Sequence, residues 1–109
     1  MNPKDKNIIL EFKRRLTDEL LAHLKRFIVF GSRARGDASE DSDLDVIVLV
    51  DQKDASIEKR AEDIAYQVMW DHDFKPIISL KVFAEDQFYQ AVQKGFSFYQ
   101  HVMKEGIIL

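Results

Sequence analysis

The chain has 109 residues, of which 46% are hydrophobic and 32% are charged, a composition typical of one compact globular domain. Its formal net charge of −3 argues against a broad surface that binds duplex nucleic acid through its phosphates. The sequence has no cysteine, which excludes disulfides, thiolate zinc sites and cysteine nucleophiles. No apolar run has the length of a signal-peptide core or of a membrane span, and we therefore expect a single cytoplasmic domain over residues 1–109 that does not insert into a membrane.

The N-terminal half of the chain predicts one helix and two strands. Over residues 4–25, apolar side chains recur at steps of three and four residues, which indicates an amphipathic helix. Residues 27–30 are β-branched or aromatic and end at Gly31, so they predict a buried strand. A second apolar run, Leu44–Val50, follows a polar loop and predicts another strand.

The C-terminal half predicts a further strand and three helices. In chain order these elements are a helix from Asp54 or Ser56 to about Trp70, a strand over residues 76–83, a helix to Lys94, a helix over residues 96–104 and an apolar tail over residues 107–109. The order predicts a small α/β (α+β) domain, with a mixed sheet of about three strands packed against helices. Because so narrow a sheet covers little of the Phe- and Ile-rich C-terminal segment, we expect a homo-oligomer or a protein partner.

A turn with the properties of a phosphate site follows the first predicted strand. Gly31 and Gly36 allow backbone amides to approach a ligand without an intervening Cβ, and Ser32 adds a hydroxyl. A short helix from Ser32 would direct its N-terminus at the ligand, and Arg33 and Arg35 carry charges suited to phosphate oxygens. We therefore predict Gly31, Ser32, Arg33, Arg35 and Gly36 as nucleotide-binding residues.

Asp43 and Asp45 stand two residues apart at the start of the second predicted strand. The alternation of a strand directs both carboxylates to one face and sends Leu44 and Val46 to the other. Paired carboxylates are hard oxygen ligands of the kind that Mg²⁺ prefers, and a like-charged pair needs a cation or donors for neutralisation. The pair is the predicted metal site and the predicted catalytic centre.

Each piece of this pattern also has an ordinary structural explanation. A Gly-Ser pair is most often a turn, paired arginines are most often a solvated face, and Asp-Ser-Asp before a strand is most often an Asx turn. The joint order of strand, basic Gly-Ser turn, polar loop and Asp-Leu-Asp favours a functional site over a series of coincidences.

The spacing of this pattern resembles a known signature. Gly31-Ser32, ten intervening residues and Asp43-Leu44-Asp45 resemble the motif of the DNA polymerase β-like nucleotidyltransferase superfamily, and GSRARG with SDLDVIV is similar to its minimal (MNT) prokaryotic members. The resemblance implies a nucleotidyltransferase-like fold, with phosphates at Gly31 and Ser32 and two magnesium ions at Asp43 and Asp45. It also implies in-line attack by an acceptor hydroxyl on the α-phosphate of ATP or another nucleoside triphosphate.

One departure from this family concerns the third predicted strand. Members of the superfamily with catalytic sites carry a third carboxylate there, facing the aspartate pair, whereas residues 76–82 of this chain read PIISLKV and contain no acid. Ser79 and Lys81 share one parity and are the candidates to face the pair. A lysine is a poor substitute for a metal ligand, although it can contact a phosphate or pair with an aspartate.

Three functions are consistent with these residues. The first is Mg²⁺-dependent transfer of a nucleoside monophosphate, expected to be AMP, to a hydroxyl on a protein, an RNA end or a small molecule. The second is an MNT-type antitoxin of a toxin–antitoxin system, an interaction module that pairs with an all-helical HEPN-family toxin and has weakened or no catalysis. The third is a structural α/β domain whose polar loop binds nothing.

Overall fold

The secondary structure of the computed structural model, which describes residues 1–109, consists of six helices and four strands. The helices are α1 (Pro3–Arg15), α2 (Asp18–His23), α3 (Ser32–Arg35), α4 (Ala55–Asp71), α5 (Glu85–Gln93) and α6 (Ser97–Glu105). The strands are β1 (Leu24–Phe30), β2 (Leu44–Val50), β3 (Ile78–Ala84) and β4 (Ile107–Ile108). None of the helices combines the length and the apolar character needed to cross a membrane.

The four strands form one mixed sheet in the order β3-β2-β1-β4. β1 pairs antiparallel with β2, and β2 pairs parallel with β3. The α/β class and the three long strands agree with the sequence prediction. The fourth strand is an addition, because Ile107 and Ile108 of the apolar tail pair antiparallel with Val29 and Ile28. A strand of two residues shows no alternation, which is why the sequence pattern does not reveal it.

The helix predicted over residues 4–25 is in fact two helices and the start of a strand. Leu16 leaves the helical conformation with φ −70° and ψ 139°. The Thr17 hydroxyl then caps α2 by accepting a hydrogen bond from the Leu20 N–H at 3.2 Å. Leu16 and Leu20 are both buried, so the apolar spacing continues across the break. The prediction of a single helix was wrong because apolar spacing does not register an N-cap.

The boundaries of the later elements are set by local chemistry that the sequence partly reveals. Asp54 Oδ1 accepts a hydrogen bond of 2.7 Å from the Ser56 N–H, which identifies Asp54, of the two candidates, as the N-cap of α4. β3 begins at Ile78, two residues later than predicted, and α5 follows β3 without a loop.

The two faces of the sheet carry separate hydrophobic cores. The larger core includes residues of α1, α2 and α4 and four residues of β2, namely Leu44, Val46, Val48 and Val50. On the opposite face, Ile47 and Leu49 pack with Phe88 of α5 and Val102 of α6. Asp45 has the parity of Ile47 and Leu49 and therefore lies on the α5–α6 face, at the edge of the sheet where β2 begins.

Candidate functional site

The turn after β1 is shaped by two glycines. Gly31 has φ 81° and ψ −163°, and Gly36 has φ 86° in the left-handed region, conformations that residues with side chains rarely adopt. The single turn of α3 lies between them and is closed by a hydrogen bond of 2.9 Å from the Gly36 N–H to the Ser32 carbonyl. The short helix expected from Ser32 is thus confirmed.

Gly31 also lies against Asp45. A Cβ built on Gly31 would be 2.6 Å from Oδ2 of Asp45, closer than real Cβ contacts. The Gly-Ser turn and the aspartate pair therefore meet across the β1–β2 pairing, in which Phe30 is the partner of Asp45. Any side chain at Gly31 would collide with this carboxylate, so the close approach of the turn to Asp45 requires glycine.

The aspartate pair combines an exposed and a partly buried carboxylate. Asp43 is exposed just before β2, and Asp45 is partly buried as the second residue of the strand. Burial and then the negative charge of Asp43 raise the pKa of Asp45, whereas the positive charge of Lys81 opposes this shift. The pair therefore carries negative charge that the protein neutralises only in part.

Asp43 and Asp45 fit a magnesium ion by the chemistry of their donors. Mg²⁺ prefers oxygen ligands, and it commonly keeps several waters beside one or two protein carboxylates and the phosphates of a nucleotide. Nowhere in residues 1–109 do three or more Asp, Glu, His or Cys side chains form a cluster that could hold a metal ion. The two predicted ligands therefore stand together without a third carboxylate.

The adjacent strand β3 presents a hydroxyl and a cation on the same face. Ser79 is the register partner of Asp45, and Lys81 is the partner of Ile47. This register confirms the prediction that Ser79 and Lys81 are the β3 residues facing the aspartate side of the sheet. The Lys81 Nζ atom lies 5.4 Å from the ring centroid of Phe98 on α6.

Arg33 is held by protein groups instead of standing free beside the turn. Its guanidinium donates to both carboxylate oxygens of Asp5 at 3.1 Å, to the Ser42 carbonyl at 2.7 Å and to the Glu40 carbonyl at 2.9 Å. All three nitrogens have a partner, and only 11% of the side chain is exposed. These contacts give Arg33, which we expected to bind the nucleotide, a structural role: it ties α1 and the loop before β2 to α3.

Arg35 lies at the rim of a cleft beside the Gly-Ser turn. Its half-exposed guanidinium is 3.3 Å from Asp37 and 3.7 Å from Glu105. The cleft has a volume of about 260 Å³ and lies between Gly31 and α6, with Phe98 in its wall. Arg35, unlike Arg33, is therefore within reach of a ligand at Gly31.

Two residues of this region, Asp5 and Phe98, could not be assigned to it from the sequence. Asp5 is an acid in the first turn of α1, a position that the helix dipole explains without any partner. Phe98 has the spacing of an ordinary apolar residue of α6, and only the packing of α6 on the sheet brings it to Lys81 and the cleft.

The Gly-Ser turn lies between β1 and the short helix α3, and it contacts the Asp-Leu-Asp segment at the start of β2. This arrangement is that of a nucleotidyltransferase-type site. The family model for the nucleotidyltransferase domain matches residues 6–107. The chain therefore belongs to the nucleotidyltransferase domain family, as the resemblance of its motif implied.

Two curated proteins of Methanocaldococcus jannaschii are similar to this chain. "Putative protein adenylyltransferase MJ0141" is 43% identical over 77 residues, which cover 68% of this chain and 78% of that protein. "Putative protein adenylyltransferase MJ0604" is 29% identical over 106 residues, which cover 96% of this chain and 97% of that protein. Together with the family match, these relatives identify a minimal nucleotidyltransferase and support transfer of a nucleotide as the class of its activity.

Proposed function

We propose that this protein transfers AMP from ATP to a hydroxyl of a protein acceptor, with Mg²⁺ as its cofactor. One observation carries the proposal: Gly31 is in contact with Asp45, so the turn proposed to bind phosphate adjoins the aspartates proposed to bind metal. The names of the two relatives, which are those of protein adenylyltransferases, support ATP as the donor and a protein as the acceptor. The exposure of Asp43 leaves this edge of the sheet open to an acceptor as large as a protein.

The groups of this chain bind and orient the donor. The backbone amides at Gly31 and Ser32 and the Ser32 hydroxyl bind the triphosphate, and Arg35 contacts its outer oxygens. Asp43 and Asp45 would hold Mg²⁺, and the bound ion would supply positive charge against the phosphates and the reacting oxygens. The acceptor oxygen forms a bond to the α-phosphorus as the bond to the bridging oxygen breaks and pyrophosphate leaves. Because the site is open and has no third carboxylate, the hydroxyl proton passes to water.

Removal of either aspartate should abolish metal-dependent binding and transfer. Isothermal titration is expected to show that the wild type binds ATP only when Mg²⁺ is present. With α-labelled ATP and a lysate as the source of acceptors, label should appear on protein. Asp43→Ala and Asp45→Ala should each lower this transfer at least about 100-fold, since they remove the charge stabilisation of the transition state.

Asp41→Ala is the matched control for these two substitutions. Asp41 is an exposed acid of the same loop, and it lines a separate groove with Lys4 and Lys75. This variant should bind ATP and transfer label as the wild type does. Transfer that survives both Asp43→Ala and Asp45→Ala, or a wild type that binds no ATP with Mg²⁺, would contradict the proposed function.

A second candidate function is pairing with an all-helical HEPN-family toxin, as an MNT-type antitoxin in the cytoplasm. The observation that favours a protein partner is an exposed aromatic pair on α4, Tyr66 and Trp70, whose ring centroids are 6.3 Å apart. Exposed apolar surface of this kind marks protein interfaces, including those of homo-oligomers. The two functions are compatible, because the partner can itself be the protein that is modified.

The genomic neighbourhood and co-expression test this second function. A neighbouring reading frame for a HEPN-like protein, whose product co-purifies with this chain, would support it. Co-expressed products that elute separately would argue against pairing and leave the transferase proposal unaffected.

A further inference from the structure

Lys81 is the only charged residue of β3, and it lies on the face of the aspartate pair. On the same strand and face, Ser79 is the register partner of Asp45. The Lys81 ammonium lies 5.4 Å from the ring centroid of Phe98, a cation–π contact that holds an otherwise exposed side chain beside the site. β3, which pairs with β2 beside Asp45, therefore contributes a positive charge where a further metal ligand would need a negative one.

The arginines near the turn are less available than Lys81. Arg33 is bound to Asp5 and to two backbone carbonyls. Arg35 lies close to Asp37 and Glu105, which partly balance its charge. Lys81 forms no ion pair within 4.0 Å, although its charge acts on Asp45, and its ammonium lies over the uncharged Phe98 ring. It is therefore the cation on this face that is best able to meet the charge of a triphosphate.

The number of metal ions follows from the ligands and from the sign of this charge. Two adjacent divalent cations need more carboxylate charge than one, and the chain offers only Asp43 and Asp45 here. A lysine ammonium on the same face repels a second cation. The same ammonium is a compact charge well suited to phosphate oxygens.

We propose that the site binds one divalent cation, at Asp43 and Asp45, and that the Lys81 ammonium contacts the triphosphate in place of a second metal ion. This inference rests on the proposed function, because it concerns the same nucleotide. Lys81 is then a substrate-contacting residue, and Phe98 is a positioning residue that holds the ammonium beside the site.

Metal stoichiometry tests the first half of the proposal. Mn²⁺, which replaces Mg²⁺ and is counted by electron paramagnetic resonance, is titrated into protein saturated with α,β-methylene ATP, an analogue that cannot undergo transfer. The wild-type complex is expected to hold one Mn²⁺ per chain. The Lys81→Glu variant, which places a carboxylate on β3, is expected to hold two.

Analogue affinity tests the second half. Lys81→Met keeps an apolar stem against Phe98 but removes the charge, and it should weaken binding of the analogue about tenfold, as expected for one charge-assisted hydrogen bond. Lys81→Arg should recover most of the affinity. Lys59→Met is the matched control, since Lys59 is an exposed lysine of α4 on the opposite side of the sheet.

The outcomes separate this inference from the proposed function. Two Mn²⁺ in the wild-type complex, or equal affinities for Lys81→Met and Lys59→Met, would overturn the role of Lys81 and leave the proposed function standing. A wild type without any metal-dependent binding of the analogue would overturn the proposed function itself, and this inference with it. Circular dichroism of each variant shows whether a lost affinity is instead a lost fold.

Discussion

Asp45 shows, at the scale of one residue, how a partly buried carboxylate opposes stability. Its carboxylate lies against Gly31 and beside Asp43. Because burial and the charge of Asp43 raise its pKa, the folded state holds this proton more tightly than the unfolded chain does. Ionisation of Asp45 at neutral pH therefore weakens the metal-free protein, and a bound cation would reverse the effect.

Asp45→Asn should stabilise the metal-free protein in a pH-dependent way. The folded-state pKa of Asp45 is raised above the ordinary value of 3.8. The stabilising contribution of this group is thus complete below that pH and is lost as the pH rises through the folded-state pKa. Asparagine does not titrate, so the variant does not lose this stability as the pH rises. In EDTA, the variant should melt above the wild type at neutral pH, and the difference should shrink as the pH falls toward 3.8.

Thermal unfolding followed by circular dichroism across this pH range checks the prediction. Asp41→Asn removes an exposed charge from the same loop and serves as the control for net charge. A difference between Asp45→Asn and the wild type that does not change with pH would mean that the titration of Asp45 is not its cause.

The sequence predicted which face of β2 carries Asp45, but it did not predict which groups Arg33 contacts. Strand alternation predicted that Asp45 lies on the other face of β2 from Leu44 and Val46, and the burial pattern of β2 agrees. Arg33 was assigned to phosphate because it adjoins the Gly-Ser turn, yet its guanidinium bonds Asp5. Proximity in sequence does not set the direction of a long side chain, because tertiary contacts select its rotamer.

At the scale of elements, one arginine holds the loop before β2 in place. Arg33 reaches from α3 to the carbonyls of Glu40 and Ser42 in that loop, and to Asp5 in α1. Asp5 is 2% exposed, so its carboxylate depends on this arginine for neutralisation. The loop ends at Asp43, and the position of the aspartate pair therefore depends on a contact outside the site.

Arg33→Met should destabilise the fold strongly. It leaves Asp5 buried without a counter-charge and the two loop carbonyls without a donor, at an expected cost of about 3 kcal/mol in the free energy of unfolding. Urea denaturation measures this cost. The Asp5→Asn/Arg33→Met double variant should recover part of it, because it removes the unpaired charge.

Arg14→Met is the control for this prediction. The Arg14 side chain is 73% exposed and lies 3.8 Å from Glu11, so its loss should change stability by less than about 0.5 kcal/mol. If Arg33→Met and Arg14→Met unfold at the same urea concentration, the buried pair of Arg33 and Asp5 does not hold the loop before β2.

The start of α2 and the strand β4 were not predicted from the sequence pattern. The apolar spacing predicted a single first helix, although a hydroxyl cap at Thr17 starts a second one. β4 is a strand because it pairs with Ile28 and Val29, which are far away in the sequence. Periodic signals describe the face that an element buries, whereas caps and strand partners depend on particular atoms and on distant residues.

At the scale of the whole molecule, the sheet topology assembles the site from three segments. The antiparallel β1–β2 pairing brings the turn after β1 to the start of β2, and the parallel β2–β3 pairing brings Ser79 beside Asp45. The sequence order predicted the class of fold, but the pairing of strands is a long-range property. The motif and the parity of Ser79 and Lys81 could be predicted from the sequence, whereas the contact of Lys81 with Phe98 is seen only in three dimensions.

Ligand binding should appear as a change in the stability of the whole domain. A ligand that binds only the folded state, at about 100 times its Kd, adds about 2.7 kcal/mol, which for a domain of this size raises Tm by on the order of 10 °C. Mg²⁺ with α,β-methylene ATP should produce such a rise in the wild type and in Asp41→Ala. Asp43→Ala should show little of it, because in the proposed function the metal links the analogue to the chain. A wild-type Tm unmoved by both ligands together would favour the structural domain without a ligand, and the close contact of Gly31 with Asp45 would then need another explanation.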